Sequence, residues 1–203
     1  MIRSKILSLN DVSRRTAIGL MGAGLFAGPT LALTSSTARN QVERIVAEVN
    51  QVISDGSSDA AKIAKFERIF VRYADTAFMA QYALGNDRRR ASQSQIRAFT
   101  SAFQTYVARK YGRRFREFIG GRLEVKDSRQ VKSVFEVRTL AYLRGQSPFN
   151  VTFQLSDRTG KPLFVNMFIE GVNLLLTERS EIGSLLDRRG GDLDRLTRDL
   201  PSL

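Results

Sequence analysis

The chain has 203 residues, a formal charge of +12 and a pI near 10.7, with no cysteine and no histidine. Those absences remove disulfides, thiolate nucleophiles, the usual zinc ligands and the commonest general base at neutral pH, so neither metal nor cofactor is expected. The length suits one domain with a sizeable core plus an extension, and the charge suits an acidic partner: nucleic acid, an anionic membrane or an acidic protein.

Arg3 and Lys5 precede Ser13-Arg14-Arg15, and Thr16 to Leu33 then carries no charge. This is the pattern of an export signal bearing the twin-arginine pair of the Tat pathway. Gly19, Gly22, Gly24 and Gly28 keep the apolar stretch only mildly hydrophobic, and with Pro29 they weaken it as a membrane-spanning helix. Ala17 and Gly19 stand where such signals usually place Phe and Lys. The sequence thus predicts a signal over residues 1–38, cut after Ala32 or Ala38, and a mature domain over 39–203 in the periplasm. No cysteine follows the stretch, which excludes a lipoprotein anchor. Cleavage removes four basic residues and one acidic residue, so the mature chain stays basic.

From Arg39 to Ser54, Val42, Ile45, Val46, Val49 and Ile53 recur at helical spacing, and Asp55-Gly56-Ser57-Ser58 ends that helix. A second helix places Ile63, Phe66, Ile69, Phe70 and Tyr73 on one side. Asp75 or Thr76 caps a short third helix holding Phe78, Met79 and Tyr82, which stops near Gly85. Ser92 with Gln95 fits a capping box, followed by Ile96, Phe99, Phe103, Tyr106 and Val107. Tyr111-Gly112 reads as the end or a kink of that helix.

The period then changes to two. Leu123 and Val125 open a strand. Val131, Phe135, Val137, Ala141 and Leu143 alternate with polar residues, as do Phe149, Val151, Phe153 and Leu155. Asp157-Arg158-Thr159-Gly160 is a turn, across which Pro162 to Ile169 pairs back with Val165, Met167 and Ile169 assigned inward. Gly171 breaks the strand, Asn173 caps a helix carrying Leu175, Ile182, Leu185 and Leu186, and a short polar helix follows Gly190-Gly191. Helices followed by strands predict an α+β fold, an antiparallel sheet of about four strands with helices packed on one face.

The run Ile169-Glu170-Gly171-Val172-Asn173-Leu174, then Glu178-Arg179-Ser180, then Gly190-Gly191, resembles the periplasmic lipid carriers of the Mla (toluene-tolerance) transport systems. Tyr82-Ala83-Leu84-Gly85 and Phe99-Thr100-Ser101-Ala102-Phe103 extend the likeness across residues 42 to 200. Three positions depart from the family's pattern: Asn173 for a Ser, Glu178 for a Tyr and Asn166 for an Asp. The resemblance implies a soluble carrier that holds the tails of a phospholipid, or a hopanoid-like lipid, between sheet and helices. It also implies partners at both membranes, an inner-membrane ABC lipid transporter and an outer-membrane lipoprotein–porin complex.

Thirteen Phe and five Tyr with no Trp must be accommodated. The candidate pocket wall is Phe66, Phe70, Tyr73, Phe78, Met79, Tyr82, Phe99, Phe103, Tyr106, Phe135, Val137, Phe149, Val151, Phe153, Val165, Met167 and Ile169. Taken singly each suits an ordinary core, and sequence alone does not separate a filled core from a hollow one. A nucleic-acid partner is disfavoured because these aromatics lie on buried faces instead of interleaving with the arginines. Two other classes stay open. One is an isomerase-like enzyme using Glu170 as a buried base; the other is a ligand-free adaptor with a solid interior.

Overall fold

Residues 33–203 are described by the computed structural model; the twin-arginine pair and the apolar stretch through Ala32 lie outside them. Helix α1 (Ser35–Ser54) starts before the predicted domain boundary at residue 39. Thr34 caps it, accepting from the Thr37 amide while the Thr37 hydroxyl accepts from the Thr34 amide at 2.8 Å. Ala38 is fully buried inside its first turn, and the Leu33 amide donates to Asp157 Oδ2 at 2.9 Å. Helix α2 (Asp59–Tyr73) is capped by Ser58, and α3 (Thr76–Leu84) by Asp75.

Helix α4 (Gln93–Phe115) opens on the expected Ser92–Gln95 capping box and runs straight through Gly112. The glycine is there for packing, not for termination. A Cβ at that position would lie 2.8 Å from Glu67 Cγ and 3.2 Å from Ile63 Cγ2 of α2, so its absence lets the two helices close together.

The sheet is an antiparallel meander in the order β1 (Arg122–Val131), β2 (Val134–Tyr142), β3 (Phe149–Ser156), β4 (Leu163–Ile169) and the two-residue β5 (Val172–Asn173). Its inner face carries the cross-strand pairs Val137–Phe153, Thr139–Val151 and Phe153–Met167. Strand β1 is an edge, which would leave a row of unpaired backbone groups. Helix α1 covers it. Asn50 clamps both groups of Leu123, donating to its carbonyl and accepting from its amide, each at 2.8 Å. Arg39 reaches the Lys126 carbonyl at 2.8 Å, and Ser128 donates to the Ser35 carbonyl at 3.0 Å.

Strict alternation fails in β4. The register shifts between Gln154 and Leu155, so Leu155 faces Phe164 while Phe153 faces Met167, and Val165 is the extra residue of a bulge. Phe164 consequently takes the inward position that period two assigns to Val165.

Helix α5 (Leu174–Asp187) is capped by Asn173, whose Oδ1 accepts from the Leu176 amide at 3.1 Å. Helix α6 (Leu193–Asp199) packs on α4, and Leu193, Leu196 and Leu200 are buried, so this end of the chain is core and not polar trim. The stretches that carry the family resemblance meet here. Arg179 of α5 lies over the Tyr82 ring at 5.4 Å and against Gly85, where a Cβ would stand 3.1 Å from its Nη2.

Gly121 offers the sharpest test of this packing, because a Cβ there would sit 2.3 Å from the Tyr142 carbonyl oxygen. Gly121→Ala is expected to destabilise by about 1–3 kcal/mol. Gly183→Ala, in α5 with nothing within 4 Å, is expected to be neutral or to stabilise by up to ~1 kcal/mol. Urea unfolding midpoints of the two variants check both signs.

Candidate functional site

Between the sheet and helices α1, α2 and α4 lies an apolar cavity of about 150 Å³. Ile45 and Val49 roof it from α1, Phe66, Ile69 and Phe70 from α2, and Tyr111 and Phe115 from α4. Leu123, Phe149, Val151, Phe153, Phe164, Met167 and Ile169 form the sheet side. Among its lining residues, exposure is kept by Arg114 and Glu117, and in part by Phe66, Phe118, Phe149 and Ile169, which marks the mouth. An aromatic chain borders that mouth. Phe66 stacks on Phe115 at 4.4 Å, Phe115 on Phe118 at 6.1 Å, and Phe118 meets Phe149 edge-on at 6.1 Å.

A second, smaller chamber of about 20 Å³ lies deeper, lined by Met79, Val107, Leu174, Leu175, Asn166 and Glu178. Phe70, Tyr111, Phe164 and Met167 line both spaces and form the partition. Its rings are in contact, Phe70–Tyr111 at 5.9 Å and Phe70–Phe164 edge-on at 5.3 Å, and Phe164 also meets Phe153 of the main cavity wall edge-on at 5.7 Å. Edge-to-face rings are well packed yet can swing about two torsions without leaving a polar atom unpaired.

Not every residue named from the sequence comes to this place. Phe66, Phe70, Phe149, Val151, Phe153, Met167 and Ile169 line the main cavity, and Met79 lines the inner chamber. Phe99, Phe103, Phe135 and Val137 sit in solid core away from both. Tyr73 donates to Glu48 and thereby ties α2 to α1. Phe78 lies under the Arg158 guanidinium at 3.6 Å, and Tyr82 under Arg179. Tyr106 points to Glu181, and Val165 is the bulge residue. Conversely Tyr111, Arg114, Phe115, Glu117 and Phe118 line the cavity but are not in the wall expected from the sequence, where Tyr111-Gly112 reads as an end or a kink of the helix. The signal was present: Phe103, Tyr106, Val107, Tyr111, Phe115 and Phe118 continue one stripe at helical spacing.

Glu170, the candidate base, lies outside the cavity lining. It is exposed at the turn with φ of 49°, and its Oε1 accepts from the Asn150 amide at 2.6 Å. The buried carboxylate is instead Glu178, only 3% exposed. Lys110 donates to it at 2.8 Å, Tyr111 donates to the same oxygen, and its other oxygen has no hydrogen-bond partner among the described residues. Lys110 also pairs with Glu181, which Tyr106 joins.

Burial pushes the Tyr106 and Tyr111 hydroxyls well above the usual phenol range, and the neighbouring glutamates add to it. Both hydroxyls therefore stay protonated as donors. Burial also pushes the Glu181 carboxyl up, but the bonds from Lys110 and Tyr106 outweigh it and leave the group below its ordinary 4.5.

Asn166 holds the inner end of the cavity to α5. Its Oδ1 accepts from the Leu175 amide at 3.1 Å and its Nδ2 donates to Gln154 Oε1 at 3.0 Å. An Asp at this position could accept the same amide but could not donate across the sheet.

Breaking the α4–α5 network should be costly. Lys110→Met strands two carboxylates and is expected to lower stability by about 3–5 kcal/mol, with Lys110→Met/Glu178→Leu recovering part of the loss. Because the folded-state Glu181 value is depressed, its contribution is present above its ordinary 4.5 and lost as pH falls through the lowered value. Urea titrations between neutral and acid pH measure both effects.

Two comparisons bear on the whole arrangement. A solved structure of a phospholipid-binding protein from Ralstonia solanacearum, in complex with a phospholipid, superposes with a TM-score of 0.67 at 19% sequence identity, covering 81% of this chain and 95% of that one. At that identity the likeness speaks to the fold, which the two share. The family described as MlaC protein matches residues 40–202, nearly the whole of the described structure. The chain belongs to the MlaC protein family.

Proposed function

We propose that this protein is a periplasmic carrier that takes up phospholipid tails in its apolar cavity and shuttles the lipid between an inner-membrane ABC transporter and an outer-membrane lipoprotein–porin complex. The observation that carries the reading is the cavity, walled by Phe, Val, Ile and Met and opening past a single charged lip. Family membership supports it, as does the phospholipid in the Ralstonia solanacearum neighbour. No helix among the described residues is long and apolar enough to cross a membrane.

The physical requirement is severe. Hydrocarbon in water costs about 0.8 kcal/mol per CH₂, so a tail of roughly 16 carbons costs about 12 kcal/mol, far more than a handful of hydrogen bonds offsets. Enclosure in an apolar space is the means available. At about 150 Å³ the cavity lies below the ~300 Å³ of ordinary small-molecule sites. Uptake therefore requires it to widen, and Phe70, Phe164 and Met167 of the partition are what has to turn. The same turn joins the main cavity to the inner chamber.

Filling the space should separate fold from function. Val49→Phe is expected to raise the thermal midpoint of the delipidated protein while cutting lipid carried through purification about tenfold or more. Phe153→Arg, which puts a guanidinium in the wall, is expected to abolish loading. Native mass spectrometry of each folded variant reads the result, and a folded Val49→Phe protein that still carries lipid would sink the reading.

Export by the Tat route belongs to the same proposal, with cleavage after Ala32 in preference to Ala38. The later cut would remove the Thr34 cap and the buried Ala38 from α1. N-terminal sequencing of the periplasmic product is expected to begin at Leu33, and Arg14→Lys/Arg15→Lys is expected to leave the precursor unexported.

A further inference from the structure

The lip of the cavity carries two opposite charges that make no hydrogen bond or ion pair with another described residue. Arg114, in the last turn of α4, and Glu117, in the 3₁₀ turn Arg116–Phe118 that follows, both line the cavity and are both exposed. Two nearby cations are committed elsewhere, and the exposed Arg116 does not line the cavity. Lys110 is held by Glu178 and Glu181, and Arg113 donates to the Leu203 carbonyl at 3.3 Å. Three residues apart on a helical path, Arg114 and Glu117 project from adjacent positions on one face, with about 5–6 Å between their Cβ atoms. They do not pair with each other, although opposite charges at that spacing often do.

One cation and one anion, side by side above a greasy hollow, are the complement of an amphiphile whose polar end bears a phosphate next to an ammonium. We infer that the mouth is a headgroup subsite selecting zwitterionic aminophospholipid, with Arg114 on the phosphate and Glu117 on the primary amine. The inference rests on the carrier reading and deepens it. A guanidinium presents paired N–H donors that match phosphate oxygens, and a carboxylate accepts from an ammonium without competing for the phosphate. An uncharged polar end, such as glycerol, leaves Glu117 unmatched beside a net negative headgroup. A lipid without phosphate leaves Arg114 unmatched as well.

The selectivity is modest because both groups face solvent. An exposed ion pair translates to about a twofold to fivefold preference, and salt screens it. The test loads the delipidated mature protein by competition from mixed vesicles of phosphatidylethanolamine, phosphatidylglycerol and diacylglycerol with identical acyl chains, and reads bound lipid by native mass spectrometry.

The wild type is expected to take phosphatidylethanolamine over phosphatidylglycerol by about twofold to fivefold, and both over diacylglycerol, with the preferences shrinking at high salt. Glu117→Gln is expected to bring the first ratio to about one while keeping phospholipid ahead of diacylglycerol. Arg114→Gln is expected to erase the advantage of phosphatidylglycerol over diacylglycerol while phosphatidylethanolamine stays ahead through Glu117. Equal loading of the three lipids by the wild type, or an amine preference that survives Glu117→Gln, overturns the subsite. Failure to load any of the three, diacylglycerol included, overturns the carrier reading and the subsite with it.

Discussion

An interior that must stay apolar without being filled is the constraint on which this molecule turns. Close packing is what normally stabilises a core, and an unfilled cavity lined by side chains costs about 24 cal/mol per Å³. For the 150 Å³ between sheet and helices that is about 3–4 kcal/mol, a large share of the 5–15 kcal/mol by which domains are typically stable. The fold meets this by dividing its labour. Phe99, Phe103, Ile182, Leu196 and Leu200 make a fully buried block where α4, α5 and α6 come together. The cavity is left to the other end, under α1 and α2, where the Asn50 side chain adds hydrogen bonds to the Leu123 backbone that fix the roof to the edge strand.

Helix α4 belongs to both halves, and this gives the Lys110 network its significance. A buried ion pair is weak evidence for stability, since desolvation offsets most of its attraction. What it supplies here is registry: Lys110 and Tyr111 hold α4 to Glu178 of α5 at the level where solid core gives way to hollow. Tyr111 serves in both roles at once. Its hydroxyl is anchored in the network, while its ring is a panel of the partition between main cavity and inner chamber. The neighbouring panels, Phe70, Phe164 and Met167, have no polar atom to satisfy and are free to turn where Tyr111 is not.

Much of this was legible before any coordinates. The capping residues Ser92, Gln95 and Asn173 sit where their chemistry places them, and the shift from helical to alternating period separates the helices from the meander. The misses have local physical causes. A bulge is invisible to period counting, so Val165 was given the place that Phe164 fills. Gly112 has the same letter whether it ends a helix, kinks it or lets another helix approach, so the sequence alone does not join Tyr111, Arg114, Phe115 and Phe118 to the stripe before it. The burial of Glu178 is not legible locally because its partners, Lys110 and Tyr111, lie more than sixty residues away in sequence. Hollowness itself is not written in composition, because Phe153 beside the cavity and Phe103 in solid core are the same residue type in similar patterns.

On the carrier reading, the small volume of the cavity is as informative as its greasy lining. A pocket pre-shaped for a full tail would keep most of the ~12 kcal/mol gained by removing it from water, and so tight a grip would leave little chance of release. Walls that close on themselves change the balance. Each contact that Phe70, Phe164 and Met167 make with one another in the closed form is one that an entering tail has to replace, so the net affinity falls by the packing the partition gives up. Edge-to-face rings suit this, since they are worth about 0.5–1.5 kcal/mol per pair beyond area burial and can re-form once the ligand leaves. A carrier without an energy source needs both states within reach of each other, and an aromatic partition that packs well against itself and against hydrocarbon provides that.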